Sequence, residues 1–188
     1  LPQVLLPAIV IPAKQRNTLI IMLSSSVTTK GQVTIPIELR ERLGIKPGDR
    51  VAILANTRFE WSLSDVAVMG AGGITIPIYP SNTPEDCQYI LNHSESRVLL
   101  LEDRSQLAKI LELRAKNAKA LPALEKVVVM DFPPNRETAG LTNVLSLAAL
   151  EELGRRAQAT RALTFESNLK SAKPSDTITI CYTSGTTG

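Results

Sequence analysis

From Arg50 onward, short apolar runs alternate with longer stretches that carry apolar residues on one face only. Arg50 to Leu54 is a compact apolar run and reads as a strand. Glu60 to Met69 places Trp61, Val66 and Met69 among its apolar positions and stops at Gly70, Gly72 and Gly73, which predicts a helix. Ile74 to Tyr79 reads as a strand halted by Pro80. Thr83-Pro84-Glu85 supplies an N-cap, a proline at the first helical position and an acid in the first turn. The helix it opens should run to about Asn92. Further along, Arg97 to Leu101 reads as a strand, Arg104 to about Lys116 as a helix, and Val127 to Met130 as a strand. Phe132 to Gly140, with its Pro133-Pro134 pair, is a loop, and Leu145 to Arg156 reads as a helix. The β-branched run Thr177 to Cys181 reads as a last, buried strand. Strands alternating with helices predict an α/β fold, with a mainly parallel sheet covered on both faces.

One stretch supports two readings. Arg50 to Leu54 and Arg58 to Ser64 could pair as a hairpin across Asn56-Thr57, with Phe59, Trp61 and Leu63 on one face. The helix is the expected outcome, because the apolar residues continue through Ala67, Val68 and Met69 to the glycine stop.

The chain has 188 residues, enough for one domain or for a small module and part of a larger one. Its 44% hydrophobic and 21% charged residues are ordinary for a soluble globular protein, and a net charge of +3 does not by itself argue for nucleic acid. Cys87 and Cys181 lack metal-ligand spacing and suit buried thiols in a reducing, cytoplasmic setting. His93, the only histidine, has no acid or cysteine at ligand spacing and reads as a helix-end residue near the dipole, so no metal site is expected. Trp61 and Tyr89 read as core or packing residues on helix faces. Gly70-Ala71-Gly72-Gly73 follows a helix and lacks the spacing of a dinucleotide loop. Residues 1–21 are punctuated by Pro2, Pro7 and Pro12, and their basic residues follow the apolar part, the wrong order for a signal peptide. The expectation is a disordered or non-native leader, no membrane span and a natural start at Met22.

The chemistry-bearing stretch is Tyr182-Thr183-Ser184-Gly185-Thr186-Thr187-Gly188. Glycines let backbone N–H groups turn toward an anion, and hydroxyls add donors, so a strand running into this string is a phosphate-cradling design. A Walker A loop would need Gly-Lys-Ser/Thr, which is missing. The string resembles the phosphate loop of the adenylate-forming enzymes. GDRVAILANTRFEW, GAGGITIPIYPSNTPEDCQYILNHSESRVLLLED and YTSGTTG together resemble the N-terminal part of an AMP-forming acyl-CoA synthetase of the long-chain fatty-acid branch, over Gly48 to Gly188. The resemblance implies a ligase that activates a carboxylate with ATP to an acyl-adenylate, then to a CoA thioester. It implies ATP, Mg²⁺ and coenzyme A, with Thr183, Ser184, Gly185, Thr186, Thr187 and Gly188 around the β- and γ-phosphates. The adenine pocket, the Mg²⁺-binding acid and the catalytic lysine lie further on in that family. Residues 48–188 are therefore expected to be an incomplete N-terminal subdomain, inactive alone.

Ahead of it, VTTKGQVTIPIELRERLGIKPGDRV (residues 27–51) resembles the AbrB/MazE/SpoVT swapped-hairpin modules. That resemblance implies a small hairpin-and-helix module over residues 22–50, a homodimer and, as the alternative function, a DNA-binding regulator or antitoxin with Lys30, Arg40 and Arg42 toward DNA. The same residues otherwise read as a solvated helix face and turn.

Overall fold

A computed structural model describes residues 47–132, 143–161, 167–168 and 170–183. The chain divides into two compact units, Leu1–Ile35 and Pro36–Gly188. The first, with the expected leader and the first part of the swapped-hairpin segment, lies outside the described residues, as does 36–46.

The second unit is an α/β sandwich. Its elements are β1 (Arg50–Leu54), α1 (Phe59–Gly70), β2 (Ile74–Ile78), α2 (Pro84–His93), β3 (Val98–Leu101), α3 (Arg104–Lys116), β4 (Lys126–Val129), β5 (Val144–Ser146) and α4 (Leu147–Arg161). The strands form one sheet in the order β2-β1-β3-β4-β5, and every pairing is parallel. Strand residues bury alternately on the two faces. Ala52, Leu54, Ile76, Ile78, Leu99, Leu101, Val127 and Val129 pack with Cys87, Ile90 and Leu91 of α2 and Leu107, Ile110 and Leu113 of α3. Val51, Ile53, Val98, Leu100 and Val128 pack on the other face with Val68 of α1 and Leu150 of α4, and Trp61 and Leu147 lean against them. Covering on both sides explains why β1 and β3 are almost wholly apolar. Each fully buried Leu or Ile of this core is worth about 1.5–3 kcal/mol of removed apolar surface.

The ambiguous stretch is helical: α1 spans Phe59–Gly70. A hairpin has no place to form, because β1 is paired along its length on both sides, with β2 and with β3. The end of α1 is tight. Gly72 has φ +78°, and a Cβ on Gly73 would come within 3.0 Å of Val68 Cγ1. The start of α2 has the expected capping. The Thr83 hydroxyl accepts from the Asp86 N–H and the Asp86 carboxylate accepts from the Thr83 N–H, both at 3.1 Å, with Pro84 opening the helix.

Four expectations need correction. Leu145 does not begin a helix. Val144–Ser146 is a short strand on β4, and α4 begins at Leu147, where the Ser146 hydroxyl accepts from the Ala149 N–H as a cap. Residues 177–181 are not a buried strand. They meet the sheet through a single parallel bridge, Thr75 to Thr179, and Ile178 and Ile180 stay 57% and 36% exposed. Their alternation is that of a strand, but among the described residues no layer covers them. Cys181 is accordingly exposed, whereas Cys87 is buried. Tyr89 is 62% exposed and is no core residue, while Trp61 packs as expected.

Candidate functional site

The candidate phosphate loop follows the segment Thr177–Tyr182, which runs beside the edge strand β2. Its backbone attachment is one bridge: the Thr75 N–H donates to Ile178 O at 2.9 Å and the Ile180 N–H donates to Thr75 O at 3.0 Å. Past the bridge, the Tyr182 side chain turns back onto the sheet's α2 side, where it packs against the core shared by α2 and α3. Its hydroxyl lies 2.8 Å from Nδ1 of His93, the last residue of α2. Tyr89, one helical turn earlier, stacks on the His93 ring at 5.5 Å, and Tyr182 stands edge-on to both rings, at 5.6 Å from His93 and 6.4 Å from Tyr89. Burial, then the neighbouring Tyr89, push the Tyr182 phenol above its usual pKa.

Of the residues expected around a phosphate, Thr183 is described and is exposed, one position beyond Tyr182. Ser184, Gly185, Thr186, Thr187 and Gly188 lie outside the described residues, as do Lys30, Arg40 and Arg42. His93 sits at the helix end where the sequence places it, with a partner that sequence spacing did not suggest. Among the described residues no group of three His, Cys, Asp or Glu is placed to hold a metal ion.

A second cluster lies where open parallel sheets most often bind ligands, outside the carboxyl ends of the two strands at which the strand order reverses, here β1 and β3. Arg58, just after β1, makes a two-pronged pair with Asp131, at 2.6 and 3.0 Å, and donates from Nε to Glu60 at 2.7 Å. Glu102, just after β3, accepts from the Asn56 N–H at 2.8 Å and from the Asn56 amide at 2.9 Å, with its other oxygen 3.6 Å from Arg58. The pairing with Asp131, then Glu60, raises the Arg58 pKa further, and Arg58 in turn holds Glu60 below the usual carboxylate range. One guanidinium faces three carboxylates here, and through it the cluster ties the ends of β1, β3 and β4 together. Sequence reasoning missed this cluster, and Arg58 and Asp131, 73 positions apart, give no local signal.

Comparison with known proteins bears on the loop. A profile of the AMP-binding enzyme family matches residues 38–188. A long-chain-fatty-acid–CoA ligase of Rattus norvegicus, ACSBG1, is 35% identical over 147 residues, 78% of this chain and 19% of its own length. FadD15 of Mycobacterium bovis, also a long-chain-fatty-acid–CoA ligase, is 32% identical over 147 residues, 78% of this chain and 22% of its own. Among solved structures, the inhibitor-bound N-terminal domain of FACL13 from Mycobacterium tuberculosis superposes with a TM-score of 0.55 at 25% identity, covering 81% of this chain and 32% of that one. The chain spans about a fifth of the length of the two ligases.

Proposed function

Because the chain belongs to the AMP-binding enzyme family, we propose that it supplies the first sheet and the phosphate loop of an AMP-forming acyl-CoA synthetase of the long-chain fatty-acid class. The observation that carries this is the 147-residue likeness to long-chain-fatty-acid–CoA ligases, together with the sequence YTSGTTG at its end. In the reaction, a fatty-acid carboxylate oxygen bonds to the α-phosphorus of ATP and pyrophosphate leaves. The coenzyme A thiol then bonds to the acyl carbon, its proton passes to a base, and AMP leaves. Thr183, Ser184, Gly185, Thr186, Thr187 and Gly188 are the residues assigned to the β- and γ-phosphates, where backbone and hydroxyl donors would neutralise the charge on departing pyrophosphate. A bound Mg²⁺ would add charge neutralisation at the same phosphates. A cytoplasmic setting suits the two free thiols, and among the described residues no helix is long and apolar enough to cross a membrane.

The test is ATP–pyrophosphate exchange with palmitate. The 188-residue chain alone is expected to be silent, since phosphate contacts without an adenine cavity bury little ligand surface. The same chain continued by the downstream part of a related ligase is expected to exchange label. Exchange by the chain alone would refute the inactivity, and silence of the continued protein would refute the ligase assignment. The swapped-hairpin reading of residues 22–50, a homodimer with Lys30, Arg40 and Arg42 on DNA, rests on the KGQVTIP and LGIKPGD patterns. It stands or falls on steeply salt-dependent duplex binding that is lost on Arg40→Ala.

A further inference from the structure

The segment that leads into the phosphate loop is weakly held by its backbone. It makes one bridge to β2, and its two isoleucines contribute little burial. Among residues 177–183, Tyr182 alone is half-buried, and the other six are exposed. Tyr182 is also the residue that meets α2, through His93 Nδ1 and the two ring contacts. The attachment of the whole segment therefore depends mainly on one side chain, immediately before Thr183. We propose that Tyr182, seated on His93 and Tyr89, is a positioning residue that fixes where the phosphate loop begins relative to the sheet.

This rests on the reading of Thr183–Gly188 as a phosphate loop, and it adds the device that holds the loop's base. A loop that must present several donors to one anion benefits from a fixed starting point, because each donor then loses less freedom on binding. The contact suits a tether rather than a proton switch. The tyrosine hydroxyl both donates and accepts, so it can bond Nδ1 whether or not that nitrogen carries a proton. The rings add a geometric constraint, since edge-on and stacked arrangements are favoured over other orientations. Neither Tyr89 nor His93 is needed for the core, because both are exposed.

The experiment is amide hydrogen exchange and NMR titration on the 188-residue chain, with inorganic pyrophosphate as the probe. The Thr75 and Ile180 amides make the bridge and report the segment's attachment. In Tyr182→Phe, which keeps the ring and loses the hydroxyl, their exchange should rise roughly two- to tenfold, the range of one net hydrogen bond. In Tyr182→Ala it should rise by more than about tenfold, as packing is lost too. Amides of Leu99 and Val128 should be unchanged in both. Should Tyr182→Ala unfold the sheet, His93→Gln decides, since the exposed ring can be removed without opening the core. Pyrophosphate should shift the Thr183 amide of the parent chain, less in Tyr182→Phe and not at all in Tyr182→Ala. Unchanged exchange at Thr75 and Ile180 in all three variants overturns the tether. Increased exchange with an undiminished pyrophosphate response overturns its link to the loop. No response in the parent chain overturns the phosphate-loop reading itself, and the exchange data then decide the tether alone.

Discussion

Arg58 shows how a single side chain can close a crevice. Its guanidinium faces Asp131, Glu60 and Glu102, three carboxylates that would otherwise repel one another above the ends of β1, β3 and β4. The planar fork makes the two-pronged Asp131 contact possible, and lysine would not reproduce it. Replacing Arg58 by Met should lower stability at neutral pH by roughly 1 kcal/mol, the upper part of the range for partly exposed pairs. The pH profile gives a sharper test. Arg58 holds Glu60 below the ordinary value of 4.5, and Asp103 sits below 3.8 because hydrogen bonds from Ser105 and Gln106 outweigh its burial. A depressed carboxylate contributes stability that is complete above its unfolded pKa and is lost as pH falls through its folded value. Glu151 runs the other way. Burial raises its pKa, so its contribution is present at low pH and is lost as pH rises through that raised value. Urea midpoints should therefore fall as pH drops below about 4.5, and Arg58→Met should flatten that fall. An equally steep acid limb in the variant would show that Arg58 is not its source. None of this was legible in the sequence, because the partners come from three different strand ends that only the folded sheet brings together.

At the scale of elements, legibility followed the strength of local chemistry. The start of α2 was readable because Thr83, Pro84 and an acid in the first turn each satisfy a distinct need of a helix N-terminus. The structure adds the reciprocal bond from Asp86. Thr83→Ala should cost about 1 kcal/mol, seen as a lower urea midpoint with an unchanged slope. A midpoint equal to the parent's would mean that the exposed cap is replaced by water. Strands β1 to β4 were readable as apolar runs. The strand β5 was not, because it is only three residues long and runs straight into α4, whose Leu147 and Leu150 follow at helical spacing. The division between β5 and α4 is marked only by Ser146, whose capping hydroxyl is a weaker signal than a proline or a glycine. The segment 177–181 was misjudged for a different reason. Composition identifies a β-prone run, but burial depends on a covering layer that composition does not describe.

For the sheet as a whole, alternation of strands and helices was enough to predict parallel pairing and two covered faces, but not the order β2-β1-β3-β4-β5. The order matters because it decides which strands become edges. One edge is β5, only three residues long. The other is β2, bordered by a segment that bonds it at a single residue and exposes Ile178 and Ile180. Natural sheets blunt such edges with charge, proline or short strands, because unpaired N–H and C=O groups beside apolar side chains recruit another copy. The short β5 edge and Pro77 within β2 fit that rule, but the bordering Thr177-Ile178-Thr179-Ile180 carries no charge and no proline. The 188-residue chain should therefore self-associate with rising concentration, and Ile178→Lys should suppress this while leaving the Leu99 and Val128 amides protected. Sedimentation velocity over a concentration series separates the outcomes. A parent chain that stays monomeric throughout would show that the edge is already shielded. Association undiminished in Ile178→Lys would place the sticky surface elsewhere than the β2 edge.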